Sequence, residues 1–96
     1  MDDQEIEEMI LSLKHYDDQL IRVSVRWDDP LPLLNSNIRV SVGILYDAVR
    51  YIDGVIIMLQ GIKGVIRMLI TRPSELIDVK QYSDTSRILF KLKYDI

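Results

Sequence analysis

Ninety-six residues with 48% apolar content are enough for one domain with a packed core. The formal net charge of −3 and a pI near 5.0 are unlike a strongly basic, phosphate-binding domain. With no cysteine, disulfides, thiolate metal sites and cysteine nucleophiles are excluded, and the composition suits a reducing compartment.

The start MDDQEIEEM reads as neither a signal nor a transit peptide, so the expected location is the cytoplasm. Residues 3–16 read as a helix. Ile6, Met9, Ile10 and Leu13 follow the i, i+3, i+4, i+7 spacing, and Asp2 or Asp3 can cap it. Residues 1–20 hold seven acids and one base, whereas the remainder has a net positive balance. Acids near the positive end of a first helix explain this split without a partner.

The pentapeptide IRVSV occurs at 21–25 and again at 38–42. In the first copy Ile21, Val23, Val25 and Trp27 alternate with Arg22, Ser24 and Arg26. This is the period of a half-buried strand over 19–27. The segment DDPLP ends it with turn chemistry. The second copy reads as a strand over 38–43, paired antiparallel with the first. A rival reading starts a helix there, capped by Ser36 or Asn37, because Ile38, Val42, Leu45, Val49 and Ile52 also fit helical spacing.

Residues 44–71 read as a long apolar helix. Asp47, Arg50, Asp53, Gln60, Lys63 and Arg67 fall at helical intervals, and Pro73 sets the stop. At 17 residues, the apolar run 54–70 is short of the roughly 20 that a membrane span needs, and it carries Lys63 and Arg67. No membrane segment is expected. The tail reads as a hairpin, 76–82 and 87–95, around the turn SDTS.

The expected fold is therefore α+β. A mainly antiparallel sheet of about four strands carries the first helix and the long helix 44–71 on one face. Ile21, Val23, Val25, Trp27, Ile52, Leu59, Ile66, Phe90 and Leu92 are the expected core.

The glycines suggest a surface. On a helix, Gly43, Gly54 and Gly61 fall within roughly 20° of one another, with Gly64 about 60° away. Gly54, Ile57, Gly61, Gly64, Val65 and Met68 then form a stripe suited to close contact with a second copy, close packing on the chain's own sheet, or a break near Gly61–Gly64. So apolar a helix needs cover on nearly all sides, which favours a homodimer or other homo-oligomer.

Chemistry is sparse. His15 is the single histidine, and only Asp18 sits at ligand spacing from it. The aspartate pairs 2–3, 17–18 and 28–29 could hold a metal, but each lies where aspartate caps or turns. No nucleophilic triad or phosphate-loop motif occurs, and no cofactor is expected. Arg22, Arg26, Arg39, Lys91 and Lys93 would form a basic sheet face if all lay on strands, the basis of a nucleic-acid alternative. The leading expectation is a non-enzymatic, self-associating protein–protein interaction module, such as an adaptor, regulatory or accessory protein. A small metal-dependent enzyme using the paired aspartates is the third reading.

Overall fold

The computed structural model describes residues 1–27 and 37–96. The described chain runs α1 (Asp3–Lys14), β1 (Leu20–Arg26), β2 (Ile38–Tyr51), β3 (Gly54–Gly61), β4 (Gly64–Ile70), a 3₁₀ turn (Pro73–Glu75), β5 (Leu76–Gln81) and α2 (Asp84–Tyr94). Among the described residues, five strands form one antiparallel sheet in the order β4-β3-β2-β1-β5. The fold is α+β, with one strand more than expected.

Helix α1 forms where the apolar spacing places it. The Asp2 carboxylate accepts from the Glu5 amide, and the Glu5 carboxylate accepts from the Asp2 amide, a reciprocal cap. Ile6 and Leu13 are buried against one face of the sheet, with Met9 and Ile10 packed beside them. The N-terminal ammonium donates to the carbonyls of Asp53 and Thr71, and Asp3 pairs with Arg50 at 2.6 Å. These contacts tie the start of α1 to the ends of β2 and β4.

Both IRVSV copies are strands, and they pair antiparallel as expected. The aspartate pair 28–29 and the rest of their connection lie outside the described residues. The register has a consequence that alternation alone does not reveal. Val23 faces Ser41, so Val40 and Val42 face Ser24 and Arg22. The two copies are out of phase. Val23 and Val25 enter the core, whereas Val40 and Ile38 turn to the opposite, exposed face.

The helix expected over 44–71 does not form; its residues are the second half of β2, then β3 and β4. Two-residue turns at 52–53 and 62–63 join them, with Tyr51 facing Gly54 and Gly61 facing Gly64. Helical spacing arose here because these strands are apolar on both faces, where short buried strands and buried helices look alike. Of the polar residues read as a helical face, Asp53 and Lys63 sit in turns, and Asp47 follows a bulge between Leu45 and Asp47. Such a bulge bends its strand and increases its twist. The segment 87–95 is likewise a helix and not a strand.

Ile21, Val23, Val25 and Leu59 are core, as expected, together with Leu45, Val55, Ile57, Met68 and Ile70. Ile66 packs against that cluster and Phe90 is half-buried. The other three expected core residues are not. Trp27 is 40% exposed, Ile52 76% and Leu92 74%. Ile52 lies in the β2–β3 turn, Leu92 on the outer face of α2, and Trp27 just past the end of β1.

Candidate interaction surfaces

The glycine stripe does not exist as a helix surface. Ile57 and Met68 are buried core residues, and Gly54 and Gly61 are buried within the sheet. A Cβ added at Gly54 would stand 2.5 Å from the Ile70 carbonyl oxygen, so this glycine permits close approach of its own neighbouring strand. Gly64 follows the β3–β4 turn with φ +126°, and Val65 beside it is exposed.

Nor do the basic candidates share one face. Arg22 lies on the exposed sheet face, 3.8 Å from Asp78. Arg39 pairs across from Val25 and therefore takes the other face, with its guanidinium 5.8 Å from the Trp27 ring centroid. Arg26 is at the end of β1, and Lys91 and Lys93 are on α2. The aspartate pairs are also dispersed into structural work. Asp2 caps α1, Asp3 pairs with Arg50, and Asp18 binds α2. Among the described residues, no three or more His, Asp or Glu side chains converge as a metal site would require.

One surface that the sequence did not suggest is α2. It is capped in the ordinary way, with the Ser83 hydroxyl accepting from the Ser86 amide, Asp84 in the first turn, and Lys91 and Lys93 in the last. The hydroxyl that was read as part of a hairpin turn is thus a helix start. Yet no α2 residue is buried. The helix rests on β1 through the face carrying Arg87, Phe90, Lys91 and Tyr94. The Phe90 and Tyr94 rings stack tilted at 4.8 Å, while Arg87 and Lys91 reach Asp18 at 3.2 and 2.5 Å. The Asp18 carboxyl is held below its ordinary pKa, chiefly by the Lys91 hydrogen bond; slight burial opposes this, and the charges of Lys91 and Arg87 add to it. The outward face carries Ile88, Leu89 and Leu92, all exposed, with Ile96 just beyond. The inward face is thus mixed, with Arg87 and Lys91 beside Phe90 and Tyr94, while Ile88, Leu89 and Leu92 are left outward.

A second surface is a groove of about 490 Å³ between Arg39–Val42 of β2 and Ile62–Ile66 around the β3–β4 turn. A smaller hollow of about 290 Å³ lies between α1 and the start of β5, edged by Glu5 and Glu8 over Met9, Pro73 and Leu76. No helix among the described residues is long and apolar enough to cross a membrane. No protein-family model, curated protein or solved structure matches the chain.

Proposed function

We propose that the protein is a non-enzymatic, self-associating protein–protein interaction module, a small adaptor, regulatory or accessory protein. The observation that carries this is the outward stripe of α2. Ile88, Leu89 and Leu92 lie together on one side of α2, with Thr85 one turn before Leu89 and the exposed Ile96 following the left-handed Asp95 that ends the helix. An aliphatic stripe of this kind is self-complementary, so a second copy related by a two-fold axis can bury it. The contact belongs to a different surface from the one expected of the glycines. The cysteine-free composition suits a cytoplasmic setting for such a module.

The test is molar mass by light scattering over a range of concentrations at low and high salt. A dimer that persists in high salt and becomes a monomer in Leu89→Glu or Leu92→Glu, with unchanged circular dichroism, supports the reading. A wild-type monomer at every concentration overturns it. The nucleic-acid alternative is less well supported, because its five cations lie on separate surfaces.

A further inference from the structure

The groove beside β2 has three properties that point to one kind of occupant. The first is an open strand edge. Leu45 donates its amide to Gln19, and Trp27 donates to the carbonyl of Asn37. These bonds fix the odd-numbered backbone groups of this stretch towards β1, so those of Val40 and Val42 point the other way. On that side the ladder between β2 and β3 ends at Ile44 and Gln60. Val40 and Val42 have no strand partner there among the described residues.

The second property is the wall. Because the IRVSV copies are out of phase, Val40 and Val42 present aliphatic side chains away from the core, and Val65 and Ile62 add exposed aliphatic surface at the turn opposite. The third is charge. Arg39 and Lys63 line the groove and no carboxylate does. Neither cation has a carboxylate partner among the described residues.

We infer that this groove binds an extended acidic peptide segment of a partner protein by strand addition along Val40 and Val42. The partner's backbone would pair with the open edge, its alternate aliphatic side chains would lie against Val40, Val42 and Val65, and its carboxylates would face Arg39 and Lys63. An open amide edge distinguishes a peptide from a nucleic acid, which could use the cations but not the ladder. The site is separate from α2, so neither proposal depends on the other.

The experiment uses the full chain and a fluorescein-labelled peptide of alternating glutamate and valine, eight residues long, read by anisotropy. Three comparison ligands are a lysine–valine peptide of the same pattern, the glutamate–valine peptide N-methylated at alternate residues, and an oligothymidylate of equal charge. Saturable binding of the first peptide, weakened at least tenfold by Lys63→Glu and by N-methylation, supports the inference. The amides of Val40 and Val42 should then gain hydrogen-exchange protection. No saturable binding, equal binding of the lysine–valine peptide, or equal binding of the oligothymidylate overturns it. Lys63 is an exposed turn residue, so its reversal should leave the fold intact; Arg39→Glu serves as the second variant. Repeating the titration on the Leu89→Glu protein separates this groove from self-association.

Discussion

Lys91 reaches Asp18 at 2.5 Å across 73 positions of sequence, and with Arg87 it anchors α2 to the turn that follows α1. The Asp18 carboxylate is 63% exposed, so solvent screens the pair and it fixes orientation more than it adds stability; pairs with so exposed a partner contribute roughly 0–1 kcal/mol. Asp18→Asn should therefore lower global stability only slightly. It should raise amide exchange across Asp84–Tyr94 while leaving the sheet amides unchanged. The Asp18 pKa is depressed in the folded protein, so its contribution is complete above the unfolded value of 3.8 and is lost as pH falls through the lower folded value. Exchange measured on either side of pH 3.8, at low and high salt, checks this. Uniform exchange across the whole chain in Asp18→Asn would contradict the anchoring role.

Glu75 is a different kind of carboxylate. It is almost buried, and one of its oxygens accepts from the Thr71 amide at 2.7 Å, the Thr71 hydroxyl at 2.9 Å and the Arg72 amide at 2.8 Å. Burial raises its pKa, but the bonds from Thr71 and Arg72 and the nearby Arg72 charge outweigh it, so the pKa lies below the usual 4.5. Removing the acceptor leaves donors without a partner, which costs about 1–3 kcal/mol. Glu75→Ala should lose that much in urea unfolding at pH 7, and Glu75→Gln less. The difference between Glu75→Ala and wild type should shrink as pH falls below 4.5, because the wild-type contribution is lost as Glu75 protonates.

Gly43 sits where β2 meets β3. A Cβ there would stand 2.6 Å from the Gln60 carbonyl oxygen and 3.0 Å from the Leu59 Cβ. Neither atom is the free end of a flexible chain, so Gly43→Ala must shift backbone, at a cost of roughly 1–3 kcal/mol. Gly64 is the complementary case. Nothing lies within 4 Å of its added Cβ, but φ +126° is a conformation that side-chain-bearing residues rarely adopt. Gly64→Ala should destabilise by about 1–3 kcal/mol from backbone strain alone. Thermal unfolding of both variants tests these values, and a neutral Gly43→Ala would remove the close-approach argument.

How much of this was readable beforehand depends on the element. α1 and β1 were legible because one face of each is buried and the period is clean. The second IRVSV copy was legible as a strand but not in phase, because phase is set by pairing: Val23 opposite Ser41 turns Val40 outward. The region 44–71 misled because its strands are apolar on both faces. Its best signal was the repeat IxGVIxML at 52–59 and again at 62–69, two turn-then-strand units in which each glycine starts a strand. α2 was missed because Ile88, Phe90, Leu92, Tyr94 and Ile96 alternate, while the Ser83 cap looks like a turn. Which of its faces turns inward could not be seen from its own residues, since the carboxylate that holds Arg87 and Lys91 inward is Asp18, from the other end of the chain. The cations lining the groove, Arg39 and Lys63, are far apart in sequence and come to one groove only through the β2–β3 register and the β3–β4 turn.

Ile52 gives the sharpest test of the corrected turn. Expected in the core, it is 76% exposed and has φ +52°, a conformation that is costly for a β-branched side chain. It makes little apolar contact to offset that cost. Ile52→Asn, and more so Ile52→Gly, relieves the strain while removing almost no buried surface. A left-handed residue of this kind costs about 1–2 kcal/mol, part of which Gly loses again through unfolded-state entropy. Ile52→Asn should therefore raise stability by about 1 kcal/mol in urea unfolding, with an unchanged slope. Ile57→Ala, five residues further on and fully buried, should instead lose about 2–4 kcal/mol. If Ile52→Asn were destabilising by as much as Ile57→Ala, the helix reading of 44–71, which put Ile52 in the core, would regain its footing.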